Sequence, residues 1–131
     1  MSAGNTSNSG IFITFSGNCK SALTFYQKCF GGILRFETFE KDLHGYTEKP
    51  VISGSLLSDH IVIYGSDLVH DEGRKIGNYL SVFFRCDNET DRATLVKKIC
   101  HGSNCRPAPI DDNQKLIEVT DAFDVTWVLG V

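Results

Sequence analysis

From Ile11 to Ser16 two sets of side chains alternate, Ile11, Ile13 and Phe15 on one side and Phe12, Thr14 and Ser16 on the other, which predicts a strand covered on at least one face. The period then changes. Ala22, Phe25, Tyr26, Cys29 and Phe30 recur at three- and four-residue spacing, which predicts a helix that Asn18 is placed to cap and Gly31-Gly32 to stop. Residues 33–39 alternate again as a strand, residues 41–50 form a polar loop with His44 and Gly45, and residues 51–57 and 61–64 read as a hairpin over Ser58-Asp59. The first unit is therefore βαβββ.

Residues 65–77 are charged, with little hydrophobic period, and read as a connector. Residues 79–86 then read as a strand. Asp87 or Asn88 is placed to cap a helix carrying Ala93, Val96, Ile99 and Cys100 on its apolar side, and Gly102 to close it. Beyond the proline-bearing segment 105–109, which suits an edge or loop, residues 115–120 and 126–131 read as strands around the turn Asp121-Ala-Phe-Asp124. One strand of the second unit is weakly marked. The stretch 10–32 is thus echoed by 78–102, about 70 residues later, the signature of a unit written twice. The expected fold is α+β: two βαβββ modules, 10–65 and 78–131, forming one domain with a curved mixed sheet around a groove, after a loose polar tail at residues 1–9.

Composition narrows the functional classes. A chain of 131 residues, 41% hydrophobic with nine Phe, can hold itself together by its core. A net charge of -3, with both signs interspersed, offers no field for nucleic acid. No apolar run approaches the ~20 residues of a membrane span, and the N-terminus shows no secretory pattern, so a cytoplasmic location is expected. The five cysteines are odd in number and contain no CxxC, which argues against a disulfide framework or zinc knuckle and favours buried, reduced thiols.

The segment Phe15-Ser-Gly-Asn-Cys-Lys-Ser-Ala-Leu-Thr-Phe-Tyr-Gln-Lys-Cys-Phe-Gly-Gly32 resembles the opening of the vicinal oxygen chelate superfamily in its PhnB-like branch. The ending Val119-Thr-Asp-Ala-Phe-Asp-Val-Thr-Trp127 is similar to that branch's close, except that a glycine is usual where Asp124 stands. This resemblance implies the paired βαβββ (glyoxalase/bleomycin-resistance) fold, a homodimer, and a small-molecule cavity. The superfamily includes glyoxalase I, ring-cleaving dioxygenases, epimerases, fosfomycin-inactivating thiol transferases and bleomycin-sequestering proteins, so its fold does not choose the chemistry.

Enzymes of the superfamily hold a divalent metal on His, Glu or Gln side chains from both modules. By the resemblance those positions fall near residues 10–12, on Ser53, near residues 78–79 and near Val128, and none of these is a usual ligand. Glu37, Glu118 and Tyr79 are the oxygen donors a slipped register would offer, and no cofactor is expected. The cavity wall is expected from Phe12, Thr14, Ser53, Ser55, Tyr79, Ser81 and Trp127, an apolar surface with hydroxyls but no general base.

Other groupings carry less. Asp59-His60, Asp67 and His70-Asp71-Glu72 lie in turns and the connector, where solvation accounts for them. His101 sits where a helix C-terminus favours positive charge. Cys19 and Cys86 are the candidates for a reactive thiol, Cys19 because it opens a helix. No phosphate loop or S-adenosylmethionine glycine motif is present, so nucleotide binding and methyl transfer are not expected. The expected function is metal-free binding or sequestration of a small molecule. The alternatives are a divalent-metal-dependent lyase or isomerase of glyoxalase type, and an interaction module whose groove is filled by its own side chains.

Overall fold

The structure, a computed structural model, describes residues 9–38, 50–67, 77, 80–101, 103, 105–111 and 113–131. The expectations for the tail, the loop with His44, the group His70-Asp71-Glu72, Tyr79 and the Gly102 stop lie outside these. The chain divides into two compact units, Met1–Arg74 and Lys75–Val131. Each is βαβββ with one four-stranded mixed sheet.

In the first unit β1 (Ile11–Thr14), α1 (Cys19–Phe30), β2 (Ile33–Thr38), β3 (Val51–Leu57) and β4 (Val62–Ser66) follow one another, and the sheet order is β1-β4-β3-β2. β1 runs parallel to β4, and the pairs β2–β3 and β3–β4 are antiparallel. Ser58 closes the β3–β4 hairpin: its amide and hydroxyl both donate to the Ile61 carbonyl, and its Oγ accepts from Ile61 N at 3.0 Å. α1 buries Cys19, Ala22, Leu23, Tyr26 and Cys29 and packs on β2, β3 and β4. Two glycines allow that approach: a Cβ on Gly54 would stand 2.9 Å from Leu23 Cδ1, and one on Gly65 would stand 2.9 Å from the Phe15 ring. Leu23, Tyr26, Leu56 and Ile63 are fully buried, at roughly 1.5–3 kcal/mol for each large apolar side chain. Gly31 and Gly32 end the helix with φ of 75° and 108°.

The start of α1 differs from the sequence expectation. Asn18 has φ -118° and ψ 23°, away from the extended backbone of a side-chain cap, and makes no such hydrogen bond. Asp67 takes over that role from the far end of β4. Its Oδ1 accepts from Gly17 N at 2.8 Å and Cys19 N at 3.0 Å, and its Oδ2 accepts from Val51 N at 2.8 Å. The strand thus continues past Gly65, where the sequence suggested a connector, and Asp67 is 1% exposed rather than solvated.

The second unit runs β5 (Val82–Arg85), α2 (Glu89–Ile99), β6 (Ala108–Pro109), β7 (Leu116–Thr120) and β8 (Thr126–Gly130), with sheet order β5-β8-β7-β6. The repeat reaches individual bonds: Phe15 N donates to Ser66 O at 2.8 Å, and Cys86 N donates to Gly130 O at 2.8 Å at the same place in the second unit. Asn88 caps α2, its Oδ1 accepting from Asp91 N at 2.8 Å. The buried side of α2 is Arg92, Leu95 and Ile99, whereas Ala93 is exposed. Arg92 explains the shift, because its guanidinium donates to Lys115 O at 3.0 Å and its stem is covered. β6 is only two residues long, and Pro107 and Pro109 bring no N–H to it.

The cysteines also depart in part from expectation. Cys19, Cys29 and Cys86 are buried thiols, but Cys100 and Cys105 form a disulfide with Cα atoms 5.4 Å apart. The chain turns back beyond α2, through Ser103 N donating to Cys100 O at 3.0 Å, and so brings together two cysteines that spacing alone leaves unassigned.

Candidate functional site

Pleating gives each sheet two faces, and strand register assigns the side chains to them. In the first unit Ile63, Gly65, Leu56 and Gly54 point toward α1 and are buried. The other face is open. Phe12 pairs with Tyr64, Tyr64 with Ser55, and Ser55 with Arg35, so one continuous row crosses all four strands. It reads aromatic ring, phenol, hydroxyl, guanidinium. On one side of this row lie Val62, Leu57 and Ile33, paired in register, and on the other lie Thr14, Ser53 and Glu37. Phe12 is 65% exposed and Ile33 63% exposed, an unusual placement for two large apolar side chains on a sheet face.

The second unit repeats the plan. Phe83, Val128, Glu118 and Ala108 make the corresponding row, and Phe83, at the β5 position equivalent to Phe12 on β1, is 51% exposed. Arg85 stands two residues on, its guanidinium 5.6 Å from the Phe83 ring centroid and donating to Val131 O at 3.3 Å.

Of the residues expected to line the site, Phe12, Thr14, Ser53 and Ser55 share the open face of the first sheet, and Ser81 is exposed just before β5. Tyr79 is outside the described residues. Trp127 lies on the opposite face of β8 from Val128, fully buried, with its Nε1 donating to Asp121 Oδ2 at 2.9 Å. Its neighbours on that face, Val119 and Leu129, are buried as well, so Trp127 serves the core. Tyr64, Arg35 and Phe83 join the open faces through register. Their signal in the sequence is strand phase: once Ile63 and Phe84 are turned inward, Tyr64 and Phe83 must face outward.

Of the positions at which the resemblance places metal ligands, near residues 10–12, at Ser53, near 78–79 and near Val128, the described Phe12, Ser53 and Val128 each lie on the open face of their sheet. A phenyl ring and an isopropyl group cannot donate to a cation, and a neutral hydroxyl is a poor sole donor. Glu37 and Glu118 supply one exposed carboxylate in each unit, and among the described residues no three His, Cys, Asp or Glu side chains cluster for a metal. Among the described residues, the side chains at these positions do not fit the superfamily's metal centre; the position near residues 78–79 lies outside them.

A nucleophile is equally unsupported at Cys86. Burial pushes its thiol up from the ordinary range, Arg92 pulls it down by a smaller amount, and Asp91 and Asp87 add to the rise. The neutral thiol is favoured there, the reverse of what activation requires.

Solved structures of other proteins share this fold. Protein PA1353 from Pseudomonas aeruginosa superimposes with a TM-score of 0.75 at 18% identity, covering 95% of this chain and 97% of its own. The PhnB protein from Bacillus cereus gives 0.74 at 18% identity, with 95% and 98% covered. FosX, the fosfomycin resistance protein of Listeria monocytogenes, gives 0.63 at 13% identity, with 95% and 92% covered. This chain shares their paired βαβββ fold. No family model matches the sequence, and no curated protein matches it. At these identities the likeness is one of fold, and within the vicinal oxygen chelate fold the chemistry must be read from the site.

Proposed function

We propose that the protein binds or sequesters a small, partly aromatic molecule on its open sheet faces without a resident metal. The observation that supports this most is the row Phe12, Tyr64, Ser55 and Arg35, which sets an exposed ring, two hydroxyls and a cation in register on one surface. Phe12 with Ile33 and Leu57 offers apolar area to a ring or alkyl group, and Ser55, Tyr64 and Arg35 orient oxygen atoms. The row Phe12, Tyr64, Ser55 and Arg35 itself contains no imidazole or carboxylate, which favours holding a guest over converting it. As the resemblance implies, two copies assemble into a homodimer, which light scattering would read as about twice the 14.5 kDa chain.

Metal analysis of the purified protein, paired with thermal shift against divalent ions, tests the metal-free reading. The expected result is metal well below one ion per chain and melting indifferent to the ions. A stoichiometric ion whose removal abolishes ligand binding would overturn it and favour the lyase or isomerase alternative.

A further inference from the structure

The bond between Cys100 and Cys105 stands at a particular place in the second unit. It ties the end of α2 to the segment entering β6, the weakest strand of its sheet. β6 is held by the pairings Ala108 with Glu118 and Pro109 with Ile117, followed by Ile110 N donating to Leu116 O at 2.9 Å. Besides the disulfide, the described residues of the turn leading there show short-range support: Ser103 N and Oγ both donate to Cys100 O, and Cys105 N donates to Ser103 Oγ at 3.4 Å. Both half-cystines are partly solvent-accessible, while the three remaining cysteines are buried. Lys97, Lys98 and Arg106 flank the pair in sequence and are exposed, which supplies positive charge for an acidic, low-molecular-weight thiol such as glutathione.

We propose that Cys100 and Cys105 form a reversible redox clip that sets the order of the β6 edge, and with it the Ala108 end of the open-face row. Reduction consumes two small thiols. The thiolate of the first attacks one sulfur, giving a mixed disulfide and releasing the other cysteine. The second thiolate then attacks the small-thiol sulfur of that mixed disulfide, releasing the remaining cysteine thiolate and forming a small-molecule disulfide. Two electrons and two protons pass to the protein, leaving two cysteine thiols; a disulfide or peroxide oxidant reverses the change. Once the link is cut, β6 keeps only its two-residue pairing and the adjoining turn, so its exchange with open states rises.

The test is hydrogen exchange on the intact protein, oxidised and then equilibrated with glutathione at cytosolic ratios, alongside differential alkylation. The expected result is two alkylated residues, Cys100 and Cys105, and amide exchange across residues 105–118 faster by about tenfold, with α1 and β3 unchanged. Cys100→Ser with Cys105→Ser should reproduce the fast state under both conditions. Three results would each overturn the proposal: two thiols that never join under a disulfide oxidant, a bond that persists in reducing glutathione, or reduction that leaves exchange at residues 105–118 unaltered. The alkylation and exchange readouts do not depend on any ligand, so they stand or fall apart from the binding function.

Discussion

Asp67 accepts from the amide of Gly17 at 2.8 Å across fifty residues of sequence, and so joins the end of β4 to the turn that starts α1. The same carboxylate takes the Cys19 amide and, at the start of β3, the Val51 amide. One side chain therefore fixes the corner where strand, helix and hairpin meet, holding the sheet edge that carries Phe12 and Thr14.

Replacing Asp67 by Ala leaves three buried or part-buried amides without their acceptor. The expected loss is about 3 kcal/mol, read as a lower urea midpoint with an unchanged slope. Asp67→Asn should fall between, because its one carbonyl oxygen can serve only part of the set. A midpoint within error of the parent for Asp67→Ala would contradict the assignment.

Asp124 occupies the left-handed region at φ 68°, where a residue with a Cβ is strained. Asp124→Gly should raise stability by about 0.5 kcal/mol, and Asp124→Val should lower it by about 1 kcal/mol or more. Thermal unfolding of the two variants checks both signs. A stabilised Val variant would rule out backbone strain as the cause.

Phe12 supports the site far more than the core, since most of its surface is exposed. Phe12→Ala is expected to shift the melting temperature little while weakening an aromatic ligand by roughly tenfold, and Arg35→Ala should weaken an anionic ligand selectively. Calorimetric titration of both variants with one ligand reads the difference. Equal losses for neutral and anionic ligands in Arg35→Ala would deny that arginine a role in recognising charge.

Cys86 gives a pH signature. Its folded pKa lies above the unfolded value near 9.0, so the unfolded chain ionises first as pH rises. The contribution of this thiol is complete below about pH 9 and is lost as pH climbs toward the folded pKa. Urea midpoints at pH 8 and above pH 9 should therefore diverge in the parent and less so in Cys86→Ala. An identical decline in both would assign the alkaline loss to other groups.

Much of the fold was legible because local chemistry decides it. The helical stripe around Ala22 and Tyr26, the paired glycines after Phe30 and the Ser58 turn each act within a few residues, and alternation phases β1 correctly. Asp67 was not legible, since its partners lie 16 to 50 residues away and its neighbourhood in sequence is charged. On α2 the expected Ile99 is buried but Ala93 is exposed, because Arg92 packs its covered stem there like an apolar residue, which no hydropathy pattern shows. The site is intermediate. Phe12, Thr14, Ser53 and Ser55 follow from strand phase, but Tyr64 and Arg35 enter only when the register of four strands is known. Trp127 belongs to the core because it shares the buried face of β8 with Leu129 and pairs with Val119, and its indole N–H is satisfied by Asp121.

The most direct test of the binding account is amide chemical-shift mapping of the chelator-treated protein during titration with aromatic carboxylates. The account predicts saturable shifts at Phe12, Ser55, Tyr64 and Arg35 that are the same with and without added divalent ions. Shifts that arise only after a divalent ion is supplied, or that avoid this row altogether, would contradict it.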